Sequence, residues 1–477
     1  MAKLTQIGGY FLATAAQAAV AFISVPLLIR ALGVEQFGRW SLIEPMIVVL
    51  SQVALLGSDA GLLKQISHDK LPLRTSLAAT LVSSHPVLIG VSLLPLIFVT
   101  WLDFLWVDAL ALGVVIYLEA VVLLFLAAFR AENSVLAFCA TTIAKVSCFL
   151  VTLIAIVKFT PVATHVAEDV LLWRSLAVTI AAVLGFAIVG HATRERRSFD
   201  HKITRDKFEL YWDAVCYGLP VLITSLLTLI IEFAGRYFLR AYTDYTALGK
   251  YVVYLKIAAA LALVVNTPLG LWWPTERFRR FHDPDGGRSF FRVAAMSFLA
   301  VLLLAGGILW FVSGWVLSFV APGVPFEPDV ILVLILSVVA TGMAAPLNLG
   351  LLMQGNTRWN IYGVLIAAIA HLLLCTLLIP PFGIKGAAWA TALSYLTYTL
   401  LLNAFSQAKY FVPFAYVRMA SLVILSIGVM ICVQVSPLGN GPESIGTKIL
   451  IYTVMLIVIY WLIGRRELTM LWKQALG

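Results

Sequence analysis

The charges in this chain that could do chemistry are those enclosed by its apolar stretches. Glu44, Asp59, Glu119, Lys145, Arg174, Glu232 and Lys256 interrupt such stretches, and Arg30, Arg236 and Arg240 stand towards their ends. An ionised side chain at the centre of a membrane helix costs about 2.5–3.5 kcal/mol on insertion scales, so each should face a bundle interior or a wet cavity. Polar neighbours fall on the same faces. Glu44, Ser51, Gln52 and Asp59 lie within roughly 100° of arc, and Gln6, Thr14, Gln17 and Ser24 within roughly 80°. Thr141, Thr142, Lys145, Cys148 and Thr152 share one face, as do Thr224, Ser225, Thr228 and Glu232, and a further group joins Thr391, Ser394, Tyr395 and Tyr398. Such stripes in both halves of the chain suggest a shared hydrated cavity. The other reading is local pairing, in which these groups hold the bundle together by interhelical hydrogen bonds. Arg30 and Arg240 also suit ordinary interfacial anchors that snorkel to the headgroups.

No catalytic constellation accompanies them. The sequence has no nucleotide-binding glycine loop, no HExxH and no GxSxG. His85, His165, His191 and His371 are scattered, and the five cysteines show no CxxC spacing. The expectation is therefore a non-enzyme without a metal or other cofactor.

The elements that must position these charges are membrane helices. The 477 residues are 61% hydrophobic and 12% charged, with a mean hydropathy of +0.98. Soluble domains carry about 25% charged residues. The net charge of +9 sits in short loops, which argues against a nucleic-acid partner. Fourteen apolar segments can be counted, at about 7–29, 38–60, 77–101, 107–129, 137–157, 168–190, 212–234, 251–273, 293–318, 329–352, 359–379, 386–407, 416–435 and 445–464. Each approaches the ~20 residues a spanning helix requires. The first is too long for the apolar region of a signal peptide and is read as a span.

Lipid leaves no partner for an unpaired backbone group, so all fourteen should be helical. An even number puts both termini on one side. If that side is the cytoplasm, the inside loops hold roughly three times as many lysines and arginines as the outside ones, as the positive-inside rule asks. The outer loops are short, which argues against a membrane-bound sugar transferase or polymerase.

A polar link at 191–211 suggests a duplication: a six-helix lobe over 1–190, a second over 212–407, and two extra helices with a cytoplasmic tail over 408–477. The lobes would be parallel repeats. Weak echoes agree: Leu28 to Arg30 followed by Phe37 to Trp40 resembles Phe238 to Arg240 followed by Leu248 to Tyr251.

Two motifs carry a family resemblance. One is PLLIRALGVEQFG, from Pro26 to Gly38. The other is the run from Gly342 to Asn403, in which QGNT (354–357) and IPPFGIKGAAWATALSY separate apolar helices. Pro380, Pro381 and Gly383 break the helix there, since proline cannot donate to the helix ladder and glycine tolerates positive φ. These patterns resemble the polysaccharide (O-antigen) flippases of the multidrug/oligosaccharidyl-lipid/polysaccharide exporter superfamily. The resemblance implies an alternating-access transporter in a bacterial inner membrane. It would move a sugar repeat unit linked by pyrophosphate to a polyprenol, in company with membrane lipid and other polysaccharide-assembly proteins.

It also gives the charges a task. Arg30, Lys145, Arg174 and Lys256, with Arg236 and Arg240 at the outer mouth, would meet the pyrophosphate, because a guanidinium fork matches phosphate oxygens. Glu44, Asp59, Glu119 and Glu232 would be their counter-ions or would bind a coupling proton or sodium ion. A flippase for the peptidoglycan lipid precursor and a multidrug or cation antiporter of the same superfamily are the alternatives.

Overall fold

The computed structural model describes residues 2–98, 105–160, 165–195, 206–283, 285–353, 358–436 and 442–476. The QGNT stretch at 354–357 and most of the polar link, at 196–205, lie outside them. Side chains are not described for 2–15, which leaves Gln6 and Thr14 aside.

The described residues form helices and no strand. The chain divides into two compact units, Met1–Leu229 and Ile230–Gly477. The first comprises α1 (Ala2–Leu55), α2 (Ser58–Ser67), α3 (Leu73–Ser92), α4 (Trp106–Ala131), α5 (Val135–Phe159), α6 (Asp169–Glu195) and most of α7 (Lys207–Tyr242). The second contains the end of α7, then α8 (Tyr245–Leu261), α9 (Thr267–Arg280), α10 (Arg288–Val320), α11 (Pro328–Leu347), α12 (Leu349–Met353), α13 (Arg358–Lys409), α14 (Tyr416–Val435) and α15 (Pro442–Leu476). The division thus falls within α7, beyond the polar link.

Among the described residues, twelve helical runs are long and apolar enough to cross a membrane. Two of them are double. At 1.5 Å per residue, the 54 residues of α1 and the 52 of α13 would each run about 80 Å as straight rods, against a hydrocarbon core of ~30 Å. Both are broken. Gly33 has φ 77° and ψ 169° in α1, and Gly383 has φ 52° and ψ −123° in α13. A Cβ would strain either conformation. Divided there, the twelve runs become the fourteen segments expected from hydropathy. The chain is a multi-pass, all-helical membrane protein.

One of the boundaries that differ from the sequence reading bears on a candidate charge. The second segment ends at Leu55, where Leu56 (φ 50°) and Gly57 (φ 79°) turn the chain out of the helix. Asp59 therefore opens α2 instead of extending the Glu44–Ser51–Gln52 stripe. A carboxylate suits the positive end of a helix dipole.

In the first unit, α1 packs on α3, α4 and α5, and α6 packs on α4 and α5. Its core includes Leu55, Leu62, Leu88, Phe125 and Phe129, all under 3% exposed. Lipid tails are as apolar as leucine, so close fit rather than water exclusion must hold such a core. The α2–α7 crossing shows it: a Cβ on Gly218 would lie 1.7 Å from Gly57 O, and one on Gly61 2.1 Å from Ala214 O. The second unit packs α8, α10, α11 and α13 together, with α14 and α15 against α10. Tyr452 ties these last helices in, donating to Leu303 O at 2.8 Å and sharing a 2.8 Å bond with Ser426 Oγ.

Candidate functional site

A cavity of about 430 Å³ opens within the first unit. Both halves of α1 line it, with Gln17 and Ser24 from one and Trp40, Glu44, Ser51 and Gln52 from the other. Glu119 and Arg130 come from α4, Thr142 and Lys145 from α5, and Arg174 from α6. The break at Gly33 allows α1 to supply two walls. The serines satisfy their donors locally, Ser24 Oγ to Ala21 O at 2.9 Å and Ser51 Oγ to Val48 O at 3.1 Å. Their lone pairs are left for other donors.

The charged centre is a carboxylate between two cations. Lys145 Nζ donates to Glu119 Oε1 at 2.7 Å, and Arg174 Nη2 lies 3.6 Å from the same oxygen. All three side chains are at most 20% exposed. Removing one member of such a buried pair is costly, because the partner is left uncompensated. Glu119 Oε2 and Arg174 Nε are buried and have no hydrogen-bond partner among the described residues. The cluster therefore holds one unpaired acceptor and one unpaired guanidinium donor among the described residues, both shielded from solvent.

Four of the expected site residues, Glu44, Glu119, Lys145 and Arg174, thus line one space. Arg30 is exposed and outside the lining, as is half-buried Asp59. Arg236, Arg240, Lys256 and Glu232 belong to the second unit. There Arg236 is 3% exposed, with its guanidinium 4.9 Å from the Phe233 ring centre. Arg240 lies 4.2 Å from that of Tyr245 and donates to Thr243 O at 3.4 Å. Lys256 is half-buried and Glu232 exposed.

Two features escaped the sequence reading. Arg130, in the last turn of α4 and not among the candidate residues, lines the cavity. It follows Glu119 by eleven residues, which on a helix is a rotation of only about 20° from the same face. The second is a buried polar cluster in the second unit. His371 shares a 2.9 Å bond with Ser394 Oγ, Cys375 Sγ lies 3.5 Å from His371 Nε2, and Tyr251 shares a 3.1 Å bond with Thr391. The Thr391–Ser394 stripe and the i, i+4 spacing of His371 and Cys375 were its local signals; their pairing was not legible. Among the described residues no three His, Cys, Asp or Glu side chains gather as a metal site.

Residues 4–275 match the family described as "Polysaccharide biosynthesis protein". No curated protein sequence matches the chain. Among solved structures it is similar to the lipid II flippase MurJ in an inward closed conformation. The TM-score is 0.70 at 12% identity, covering 96% of this chain and 99% of that one. It is also similar to the Vibrio cholerae MATE transporter VcmN, with a TM-score of 0.52 at 14% identity over 85% and 96% of the two chains. The MATE multidrug transporter DinF-BH gives 0.51 at 14% identity over 85% and 95%. At these identities the likeness is one of fold.

Proposed function

We propose, from the premise that this chain belongs to the polysaccharide biosynthesis protein family, that it is a flippase. Its cargo is an oligosaccharide repeat unit carried on polyprenyl pyrophosphate, moved by alternating access across a bacterial inner membrane for surface-polysaccharide assembly. The observation that carries this reading is the Lys145–Glu119–Arg174 cluster on the wall of the first unit's cavity. A carboxylate bridging two cations offsets part of their charge while no anion is bound. An entering pyrophosphate offers more oxygens to the same donors, and a guanidinium fork binds them in pairs. Arg130 adds a further cation, and Gln52, Thr142 and Ser51 supply hydrogen-bonding groups for sugar hydroxyls. The polyprenol tail remains in lipid. Arg30, Lys256, Arg236 and Arg240 serve later stages of the path, with Glu44, Asp59 and Glu232 as counter-ions or carriers of a coupling proton or sodium ion.

Deleting the gene and extracting the polyprenol-linked intermediates tests this. A complete pyrophosphate-linked repeat unit should accumulate and surface glycan should be lost, with rescue by the wild type but not by Arg174→Ala. Accumulation of the peptidoglycan precursor instead would change the cargo. Normal surface glycan with altered drug sensitivity would overturn the reading in favour of an antiporter.

A further inference from the structure

The second unit carries a cleft that the flippase reading does not use. It has a volume of about 260 Å³ and lies between α9 and the first turns of α10. Leu269 and Trp272 form one side, and Phe290, Val293, Phe298 and Val301 the other. Trp272 stacks on Phe298 at 6.2 Å, and both Trp272 and Val301 are nearly half exposed at the rim. The one polar residue in the lining, Ser297, shares a 3.0 Å bond with Tyr460. From Phe290 to Val301 the cleft follows α10 for about 16 Å, close to half of a ~30 Å hydrocarbon core and so to one leaflet.

Its head is charged. Leu269, Trp272, Glu276, Arg279 and Arg280 fall within roughly 100° of one α9 face, so the apolar wall runs directly into the arginines. Arg279 Nη2 and Arg280 Nε both reach Glu276 Oε1, at 2.7 and 2.9 Å, which holds the two guanidiniums side by side. Arg280 also lies 4.8 Å over the ring of Phe290, a residue of the cleft itself. Arg279 remains 68% exposed. Arg277, Arg288 and Arg292 bring five arginines against three carboxylates between 276 and 292. A tryptophan at the rim and cations at the head are the arrangement expected at a membrane boundary.

We propose that this cleft binds one phospholipid with an anionic headgroup, its phosphate on Arg279 and Arg280 and one acyl chain lying along α10. A free anion would leave the apolar cleft unexplained, and a wholly apolar occupant would make no use of the arginine excess at its head, where Glu276 is shared by two guanidiniums and Asp283 lies 3.6 Å from Arg280. The leaflet is the one that the arginine-rich loops face.

The test uses the purified full-length chain, equilibrated with mixed phosphatidylglycerol, phosphatidylethanolamine and phosphatidylcholine and then read for retained lipid by native mass spectrometry. Wild type should keep one phosphatidylglycerol in preference to the other two. Arg279→Gln with Arg280→Gln should weaken that preference by about fivefold for each arginine removed. Ala294→Trp, which fills the cleft and spares the arginines, should abolish retention. If Ala294→Trp does not elute like wild type, Val301→Trp at the rim replaces it. Equal retention of all three lipids would overturn the proposal, as would unchanged retention in both variants. Protection by inorganic phosphate equal to that by lipid would show a simple anion site, and a lipid-free dimer would show that a second copy covers the cleft; either would overturn it.

Discussion

Glu119 is the residue on which the candidate cavity turns, because one of its oxygens serves two cations. Glu119→Gln leaves Lys145 and Arg174 buried and facing each other. Breaking a buried ion pair costs about 3–5 kcal/mol, so this variant should unfold at markedly lower temperature in detergent and fail to complement a deletion strain. Lys145→Met should cost clearly less, since Glu119 keeps Arg174. Equal thermal shifts for the two would show that Glu119 is not the hub. A second residue-scale prediction lies outside the membrane spans. Asp285 accepts from Gly287 N at 2.8 Å and Ser289 N at 2.9 Å and so caps α10. The Ser289 hydroxyl, and then those two backbone N–H groups, hold its carboxyl below the usual carboxylate range against the opposing effect of burial. A lowered folded-state value means stability that is present above the ordinary 3.8 and lost as pH falls through the folded value. Asp285→Ala should therefore cost about 1 kcal/mol near neutrality, and the gap from wild type should close in acid unfolding curves.

Breaks and crossings decide the elements. Gly33 occupies a conformation open to almost no other residue, so Gly33→Ala should cost about 1–3 kcal/mol. Gly428→Ala, in the open middle of α14 with nothing within 4 Å, should be neutral or slightly stabilising, as helix propensity dictates. Thermal unfolding of the pair separates backbone strain from a general intolerance of glycine replacement. At the α2–α7 crossing, Gly218→Leu cannot be accommodated without moving backbone, and the yield of monodisperse protein should collapse. The two adjacent tryptophans of α9 part company: Trp272 is half exposed. Trp273 is 1% exposed and donates its indole N–H to Ala345 O at 3.0 Å. Successive helical residues point about 100° apart, so one of two adjacent tryptophans meets α11 while the other meets lipid.

For the whole molecule, the testable property is orientation. The excess of arginine and lysine in alternate loops predicts that both termini lie in the cytoplasm. A fluorescent protein fused after Gly477 should therefore glow, and alkaline phosphatase fused there should be inactive; the opposite pattern would invert every inside–outside assignment. The same charge pattern predicts that the arginine-rich 276–292 segment faces the cytoplasm, so one fusion experiment also tests the leaflet of the proposed lipid cleft.

Membrane residence, helical class and segment count were legible in the sequence, because hydropathy runs record a bilayer's thickness and prolines and glycines record where a helix must break. That is why Gly383 was anticipated. The break at Gly33 falls likewise in the gap between the segments 7–29 and 38–60, although only the structure shows the helix running up to that one residue on both sides. The polar stripes likewise found Glu44, Lys145 and Thr142, because face periodicity is a property of a single helix. Pairing is not. Only the packing of α1, α4, α5 and α6 brought Glu119 between Lys145 and Arg174 from positions 26 and 55 residues away, and only it turned Arg130 into a cavity residue. The turn at Leu56–Gly57 likewise removed Asp59 from a stripe that an unbroken helix would have kept. Contacts between helices depend on crossing angles and on which small residues let backbones meet, and those are decided jointly by several segments.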